Sequence, residues 1–289
     1  MAAGNGRVAV VTGASSGIGK EAARALAAAG WQVIATGRDP ARSAAAAQDI
    51  RAASAGGRVD MLLADLSLLA EAARLARDIA AITPRLDLLI NNAGGMASKL
   101  EITQEGYEAN FAGNHLGPFL LTNRLLPLLR VAAATAPTGS VRIINTASDA
   151  SEMIPTLNLD DMQNLDNYSN GLAYCSSKLA NVLFARALGV RLAGDDIVAH
   201  SMHPGTVDSN FFSHADEGAQ ARVRELPKMS VAEGADTLIW LATAQEPGRS
   251  TGLYWHKRAL RAPNPVVEDA AFVARFWDES EKLVARAGV

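Results

Sequence analysis

Short apolar runs alternate along this 289-residue chain with longer alanine- and leucine-rich stretches of helical character. The apolar runs are Val8–Val11, Trp31–Thr36, Val59–Leu63, Leu86–Ile90, Val141–Asn145 and Ile197–Met202. This alternation is typical of βαβ units, which build a parallel sheet with helices on both faces. We therefore predict an α/β fold with one doubly wound parallel sheet, whose ligand lies beyond the carboxyl ends of the strands. No composition break, long linker or repeat divides the chain, so we expect residues 1–289 to form one domain.

Composition excludes several classes of protein. The formal net charge is −3, the isoelectric point is near 6.0, and basic residues are scattered singly, which argues against a nucleic-acid partner. No apolar stretch is long enough to cross a membrane, and no signal peptide precedes the first strand. The one cysteine, Cys175, allows no internal disulfide and suits a reducing compartment. We expect a cytoplasmic protein without a membrane span.

A glycine-containing turn follows the first apolar run. It reads Thr12-Gly13-Ala14-Ser15-Ser16-Gly17-Ile18-Gly19 and leads into a helical segment over Lys20–Ala29. Glycine lets a backbone approach a ligand closely, and unpaired N–H groups at a helix N-terminus attract phosphate. The turn therefore predicts a pyrophosphate site, and an ordinary glycine turn is the alternative.

Tyr174 and Lys178 lie four residues apart at the start of a helical pattern, which places both on one helix face. A free phenol has a pKa of about 10, and a neighbouring cation favours the ionised form. We therefore expect Lys178 to lower the pKa of Tyr174, which becomes a candidate proton donor and acceptor. Chance places such pairs on many helices, so this hypothesis depends on the motifs upstream.

Several motifs, in this order, resemble the short-chain dehydrogenase/reductase family. They are Thr12–Gly19, Asn91-Asn92-Ala93-Gly94, Asn114, Ser148, Tyr174 with Lys178, and Pro204-Gly205. Residues 114–122 and 172–181 resemble the retinol dehydrogenase and WW-domain oxidoreductase branch. The resemblance covers most of the chain and implies a single NAD(P)-binding Rossmann domain. Membrane-bound members of that branch often carry an N-terminal anchor, which we do not find in this sequence.

The resemblance also implies catalytic roles. Tyr174 would protonate a developing alkoxide as a hydride reaches the carbonyl carbon, and Lys178 would hold the nicotinamide ribose and keep the phenol acidic. Ser148 would hydrogen-bond the substrate oxygen, and Asn114 would hold a water that links Lys178 to bulk solvent. As alternatives, Ser148 is only a turn residue and Asn114 only a helix cap before His115.

Further cofactor contacts are implied at the ends of later strands. Asp65 would meet the adenine amino group with Leu66 packed nearby, although Asp65 could equally cap a helix that begins near Ser67. Close backbone approach is expected at Asn92, Ala93 and Gly94, whereas Asn91 could serve mainly to join strands. The nicotinamide end is expected to meet Pro204, Gly205, Val207 and Ser209, whose hydroxyl would face the carboxamide.

Cofactor choice is encoded after the second apolar run. Enzymes that use NAD commonly place an acid there for the ribose 2′-hydroxyl, whereas arginine accommodates a 2′-phosphate. Gly37 stands where the acid is expected and Arg38 follows it, which favours NADP over NAD, with Ser15 as a further phosphate contact. The alternatives are a solvated Arg38 and an Asp39 carboxylate that reaches the ribose.

No metal site is expected. His200 and His203 are three residues apart, so in extended chain they point to opposite faces, and no cysteine or carboxylate cluster completes four ligands. His115 is expected to pack or cap.

Two segments, 149–171 and 206–228, are expected to shape the substrate site. Their apolar residues and one upstream methionine would line it: Met96, Met153, Ile154, Leu157, Phe211 and Phe212. Such a surface suggests a small hydrophobic ketone, aldehyde or alcohol as substrate, and anchoring of loops to the core is the alternative. NADP would favour reduction.

The sequence leaves two alternative functions and the oligomeric state open. The same scaffold could reduce a carbon–carbon double bond, or the chain could be a non-catalytic NADP-binding sensor. Members of the family commonly form dimers or tetramers through two long helices, here Leu116–Ala133 and Leu172–Leu192. We expect a homodimer or homotetramer, unless the sheet alone buries these apolar stripes.

Overall fold

The computed structural model describes residues 6–208, 218 and 225–289. Within them, the strands form a single eight-stranded sheet in the order β3-β2-β1-β4-β5-β6-β7-β8. The strands are β1 (Val8–Val11), β2 (Gln32–Gly37), β3 (Val59–Leu63), β4 (Leu88–Asn91), β5 (Val141–Thr146), β6 (Ile197–Met202), β7 (Leu253–His256) and β8 (Ala259–Leu260). All neighbouring pairs are parallel except β7 with β8.

Helices connect these strands and cover both faces of the sheet. They are α1 (Gly17–Ala28), α2 (Pro40–Ala53), α3 (Leu69–Ile82), α4 (Ala109–Phe111), α5 (Gly117–Ala133), α6 (Asn170–Arg191), α7 (Val231–Thr243) and α8 (Ala270–Arg286). A π-helical turn at Ala112–Leu116 joins α4 to α5, and 3₁₀ turns lie at Asp149–Glu152, Glu246–Arg249 and Pro265–Glu268. The predicted doubly wound α/β fold is confirmed.

The core consists of two layers, one on each side of the sheet. On one side Leu26 of α1, Ile50 of α2 and Leu238 of α7 are buried against the strands. On the other side α3, α5, α6 and α8 bury a larger cluster that includes Leu75 and Phe184. Strands buried on both faces explain why the sequence shows continuous apolar runs rather than alternating ones.

The strand order reverses at β1, which pairs with β2 on one side and β4 on the other. In doubly wound sheets the crevice at such a reversal, beyond the carboxyl ends of the strands, holds the ligand. The glycine turn follows β1 and the Asn91-Asn92-Ala93-Gly94 motif lies at the end of β4, so the topology brings both to that crevice.

Strand positions agree closely with the sequence prediction. β1, β3 and β6 have the predicted bounds, whereas β2, β4 and β5 differ by one or two residues at one or both ends. β7 and β8 were not predicted because they are short, with two to four residues each. Among the described residues, no helix combines the length and apolar character that a membrane crossing requires.

Helix α8 covers the outer side of α5 and α6. Trp277 of α8 packs 4.8 Å from Phe119 of α5 and 5.9 Å from Phe184 of α6, between ring centroids. The guanidinium of Arg191 lies 4.2 Å from the centre of a Trp277 ring. Part of the apolar surface of these two helices is therefore buried by the chain's own α8 as well as by the sheet.

Candidate active site

A cleft of about 870 Å³ opens at the carboxyl ends of the central strands. It is lined by nearly every site residue predicted from the sequence: Gly13, Ser15, Ser16, Gly17, Ile18, Gly19, Arg38, Asp65, Leu66, Asn92, Ala93, Gly94, Asn114, Ser148, Tyr174, Lys178, Pro204, Gly205 and Val207. Ser209, the other predicted contact, lies outside the described residues. Motifs dispersed over almost 200 positions therefore share one cavity.

The glycine turn has two positions where the backbone requires glycine. Gly13 has φ +66°, and a side-chain carbon there would lie 2.7 Å from the Cα of Ala93, so Gly13 lets the turn pack against the segment after β4. Gly17 has φ +56° and no atom within 4 Å of the position of a side-chain carbon, so the backbone there is open to the cleft that it lines. Ser16 occupies the N-cap of α1 but makes no side-chain capping bond. The helix therefore presents backbone N–H groups toward the cleft without a capping side chain, an arrangement that attracts an anion.

The second β–α junction distinguishes Arg38 from Asp39. Asp39 Oδ1 accepts a hydrogen bond from the Arg42 backbone N at 2.8 Å and thus caps α2, and this bond lowers the pKa of Asp39. Arg38 Nη1 lies 3.6 Å from Asp65 Oδ2 at the edge of the cleft. The Asp39 carboxylate is thus engaged at a helix end, whereas the Arg38 guanidinium borders the cleft.

Gly37 leaves no room for a side chain. A carbon at its β position would contact Ser43 Oγ and would lie 2.9 Å from Ser15 Cβ. An acidic residue at this position would require both serines to move.

Asp65 does not cap α3. Its Oδ1 accepts from the backbone N of Ser67 at 3.0 Å, but α3 begins only at Leu69. The Glu105 carboxylate caps that helix instead, because it accepts from the backbone N of Leu69 at 2.6 Å and of Ala70 at 2.9 Å. The predicted helix start near Ser67 is therefore wrong by two residues, and the capping group comes from a distant loop.

Asn91 joins secondary-structure elements, as one of the two sequence-based interpretations stated. Its Nδ2 donates to Asn145 Oδ1 of β5 at 3.0 Å and to Thr122 Oγ1 of α5 at 2.9 Å. The next residue, Asn92, ties β4 to the glycine turn, since its Nδ2 donates to the Thr12 carbonyl at 3.0 Å. Asn91 thus joins β4 to β5 and α5, and Asn92 holds the end of β4 against the glycine turn.

Asn114 lies in the π-helical turn, a feature frequent at functional sites. Its Nδ2 donates to the Gly95 carbonyl and to Ser177 Oγ, each at 2.9 Å, and its Oδ1 accepts from the Gly95 N at 2.8 Å. The alternative role as a helix cap is wrong, because Glu108 caps this helical segment: its carboxylate accepts from the backbone N of Phe111 at 2.7 Å.

Tyr174 and Lys178 are both buried on one face of α6. Tyr174 is hydrogen-bonded to Ser148, and Lys178 Nζ donates to the Thr146 carbonyl at 3.1 Å. Nζ lies 5.8 Å from the centre of the Tyr174 ring. Burial raises the pKa of Tyr174 and lowers the pKa of Lys178 to about 8. The expected lowering of the pKa of Tyr174 is therefore wrong for this state, since desolvation outweighs the cation, and the phenol is protonated at neutral pH.

Ser148 is both a turn residue and a residue of the cleft. It caps the 3₁₀ turn Asp149–Glu152, because its Oγ accepts from the backbone N of Ala150 at 3.2 Å. The same hydroxyl donates to Asp149 Oδ1 at 3.1 Å. Ser148 therefore lies between the phenol of Tyr174 and a carboxylate.

His203 and Asp149 also line the cleft, and the sequence analysis did not assign either of them to it. His203 Nδ1 accepts from the Asp149 backbone N at 3.2 Å, and its ring stacks on His256 with centroids 4.7 Å apart. Burial lowers the pKa of His203 to about 4, so the ring is neutral at pH 7. The available signal was the position of His203 at the end of β6, directly before Pro204, and that of Asp149 directly after Ser148.

His200 points away from this site. Its Nε2 lies 2.9 Å from the Pro247 carbonyl, and its Nδ1 accepts from Trp255 Nε1 at 3.1 Å. In the described part of the chain, no group of three or more His, Cys, Asp or Glu side chains is arranged to hold a metal ion. His115 packs among aromatic rings, as expected, with Nε2 2.9 Å from Ser280 Oγ.

Comparison with known proteins shows the family of the chain. The family model for short chain dehydrogenase matches residues 7–220. The chain belongs to the short-chain dehydrogenase family. It is 41% identical to mouse retinol dehydrogenase 11 over 285 residues, which cover 96% of this chain and 86% of that protein. It is 37% identical to mouse polyprenol dehydrogenase, and that match covers 98% of this chain and 85% of that protein.

A solved structure, the RhlG/NADP active-site complex of Pseudomonas aeruginosa, is 31% identical to this dehydrogenase. The two superpose with a TM-score of 0.69, and the match covers 86% of this chain and 93% of that one. Membership of the family makes this protein a nucleotide-binding oxidoreductase with the Rossmann fold, in the branch of the retinol dehydrogenases.

The apolar wall of the cleft in this dehydrogenase differs from the predicted one. Of the apolar residues singled out in the sequence, only Met96 lines the cleft, where it packs against Ala150 and Tyr174. Leu157 is buried in the core, and Met153 is 69% exposed. Phe211 and Phe212 lie outside the described residues. The missed part of the wall follows β4 and consists of Gly95, Ala97, Ser98, Glu101, Ile102 and Thr103.

The segment 206–228 is described only at its two ends. Thr206 and Val207 line the cleft. The carboxylate of Asp208 lies 3.1 Å from Lys228 Nζ, and the Asp208 backbone N donates to the Met229 carbonyl at 2.8 Å. An ion pair and a backbone bond thus close this segment at its base.

Proposed function

We propose that this dehydrogenase transfers a hydride between NADP(H) and a hydrophobic ketone, aldehyde or alcohol, with Tyr174 as the proton donor and acceptor. The observation that carries the proposal is the hydrogen-bonded pair of Tyr174 and Ser148, in the same cleft as the open N-terminus of α1. The retinol and polyprenol dehydrogenases among the relatives are named for apolar alcohols, which supports the substrate class.

The cleft fits a nicotinamide dinucleotide. Gly17 has no protein atom within 4 Å of the position of a side-chain carbon, so the backbone of the turn offers open space to a phosphorylated ligand. The turn 13–19 would hold the pyrophosphate. The other contacts that we propose are the adenine at Asp65 and Leu66, and the nicotinamide half at Asn92, Ala93, Gly94, Lys178, Pro204, Gly205, Val207 and Ser209.

When bound, the nicotinamide supplies or accepts the hydride. The protein supplies the proton: a buried, protonated Tyr174 donates to the substrate oxygen as negative charge develops there. Ser148 places a hydroxyl beside the same oxygen position. Lys178, with a pKa of about 8, is mostly charged at pH 7 and adds a positive charge to the site.

Asn114 is placed to organise this end of the cleft. Both N–H groups of its amide are used by Gly95 and Ser177, so a water could bind only through the remaining lone pair of Oδ1. A carbon added at Gly94 would lie 2.7 Å from Asn114 Oδ1 and 3.5 Å from Lys178 Nζ, so the absence of a side chain at Gly94 leaves room beside these two groups. A water bound beside them would link Lys178 to solvent.

The preference for NADP rests on three observations. Gly37 leaves no room for an acid, and the Asp39 carboxylate is engaged in capping α2. Arg38 borders the cleft and forms an exposed, weak ion pair with Asp65. Replacing this contact by one to a phosphate would cost little free energy. Ser15 lies close enough to Gly37 to share that phosphate. The relative solved with NADP supports the same choice.

Oxidation of NADPH and NADH by the purified protein, across hydrophobic aldehydes, ketones and quinones, tests the proposal. We expect turnover with NADPH, and a loss of at least about 100-fold in Tyr174→Phe with cofactor binding retained. Saturation of a carbon–carbon double bond in the product would assign the double-bond reductase instead. Cofactor binding without turnover on any compound would contradict the proposal and favour a non-catalytic NADP-binding protein.

The homo-oligomeric state and the cytoplasmic location expected from the sequence stay predictions. Because α8 covers part of α5 and α6, a dimer through these helices would have to use the surface that α8 leaves. Val131 and Val190, 54% and 69% exposed, lie on that surface.

A further inference from the structure

The hydrogen-bond ladder between β5 and β6 ends at the residue before Ser148. There Ala147 N donates to the Met202 carbonyl at 2.8 Å. The N–H groups that face one neighbouring strand belong to alternate residues, so the next one is that of Asp149. The chain has entered the 3₁₀ turn at this point, and Asp149 N donates to Nδ1 of His203 at 3.2 Å. The side chain of the residue after β6 thus supplies the acceptor for the first N–H beyond the ladder.

His203 is held firmly in this place. It is 6% exposed, and its backbone N donates to the Trp255 carbonyl at 2.9 Å. Its carbonyl accepts from Nδ1 of His256 at 3.0 Å, and the two rings stack with centroids 4.7 Å apart. A neutral imidazole carries one N–H, so a ring whose Nδ1 accepts has its proton on Nε2. Burial lowers the pKa of His203 and therefore favours this neutral form at pH 7.

Ser148 lies between two peptide groups that are both anchored to this part of the sheet. Ala147 is anchored through the Met202 carbonyl, and Asp149 through the His203 ring. The backbone on both sides of Ser148 sets the direction of its Cα–Cβ bond. The bond from Asp149 to His203 therefore helps to fix where the Ser148 hydroxyl lies in the cleft.

His203 also belongs to the opposite wall of the cleft. It directly precedes Pro204 and Gly205, which line the cleft and which we assign to the nicotinamide half of the cofactor. One imidazole ring thus connects the segment assigned to the nicotinamide with the turn that carries Ser148.

We propose that His203 is a positioning residue that holds Ser148 in register with the nicotinamide segment. The proposal rests on the proposed function, in which Ser148 hydrogen-bonds the substrate oxygen, and adds a residue to it. His203 takes up and releases no proton in this role, because it acts through the backbone N of Asp149. Hydride transfer needs the substrate carbonyl and the nicotinamide in a fixed geometry, and a misplacement of about 1 Å can cost about 100-fold in rate.

Three substitutions of His203 test whether the acceptor at Nδ1 is what matters. His203→Asn can place its Oδ1 where Nδ1 lies, whereas His203→Gln places its amide nearer to the position of Nε2. His203→Phe keeps a ring that can stack on His256 but has no acceptor. We expect kcat to fall at least about tenfold in His203→Phe and His203→Gln, and to stay within about threefold of the wild type in His203→Asn. The dissociation constant for NADPH should change less than about threefold in all three.

A double-mutant cycle with Ser148→Ala tests whether His203 acts through Ser148. Residues that act as one unit show losses that do not multiply. His203→Phe should therefore lower kcat by less than about twofold in the Ser148→Ala background. The full tenfold loss in that background would show that His203 acts independently of Ser148 and would overturn the proposal.

Glu152→Gln is the matched control. Glu152 lies in the same turn but binds Arg261, so kcat should stay within about twofold. Wild-type kcat in His203→Phe, or equal losses in His203→Asn and His203→Gln, would overturn the proposal. A tenfold loss in Glu152→Gln would also overturn it, because kcat would then respond to any change in the turn. Absence of turnover in the wild type on all substrates would instead refute the proposed function, so the two failures are distinguishable.

Discussion

Replacement of Lys178 by methionine is expected to abolish turnover and to make the protein more stable. Lys178 is 3% exposed, and burial lowers its pKa from the ordinary 10.5 to about 8. That difference corresponds to a cost of about 3 kcal/mol for keeping the ammonium charged in the folded state at pH 7. The ammonium donates a hydrogen bond to the Thr146 carbonyl, and a bond from a charged group is worth at least about 1.5 kcal/mol. The same carbonyl still accepts from Asn181 when Lys178 is lost. The net expectation is a gain of up to about 1.5 kcal/mol.

The stability difference between the wild type and Lys178→Met depends on pH in a defined direction. Between pH 8 and 10.5 the unfolded chain holds a proton on Lys178 that the folded chain has released, so wild-type stability rises with pH in this window relative to Lys178→Met. The advantage of the variant should therefore be full below pH 8 and should shrink as pH approaches 10.5.

Urea unfolding of both proteins at pH 7 and at pH 9.5 measures this effect. Lys282→Met, at a lysine whose side chain is 61% exposed, is the control and should change the free energy of unfolding by less than about 0.5 kcal/mol. A Lys178→Met protein that is less stable than the wild type at pH 7, or an advantage that does not shrink at pH 9.5, would refute the reasoning.

Two further predictions concern the cofactor and the packing of α8. Arg38→Ala should raise the KM for NADPH at least about tenfold, which is the effect of losing one charge-assisted hydrogen bond. The KM for NADH should stay unchanged in steady-state kinetics. An equal rise for both cofactors would contradict the assignment of Arg38 to the 2′-phosphate. Trp277→Ala should lower the free energy of unfolding by about 3 to 5 kcal/mol in urea titration, because the indole is 4% exposed and packs on Phe119 and Phe184. A loss below about 1 kcal/mol would show that α8 is only loosely attached.

The fold and most of the cleft were predictable because the relevant signals are local. β-Branched apolar runs predict buried strands, and parallel strands that end at one edge bring the residues after them together. The glycine turn, Ser148, Tyr174 and Lys178 therefore lie in the same cleft although they are distant in sequence.

What sequence reasoning missed depends on contacts between distant segments. The cap of α3 comes from Glu105, and no pattern near Leu69 predicts it. The net shift of the pKa of Tyr174 has the opposite sign from the sequence-based expectation, because helical spacing shows proximity but not burial, and burial is the largest cause of the shift. His203 and Asp149 are hydrogen-bonded to each other because the end of β6 lies beside the turn after β5, and the sequence alone does not show this contact.

The most direct test of the central claim is to follow the label from NADPH deuterated at C4 of the nicotinamide, with each face labelled in turn, into the product by mass spectrometry and NMR. Hydride transfer to a carbonyl predicts deuterium on the carbinol carbon of the product alcohol from one of the two labelled faces, and no label in reactions with Tyr174→Phe. Deuterium on a newly saturated carbon beside an intact carbonyl, or label transfer that persists in Tyr174→Phe, would contradict the account.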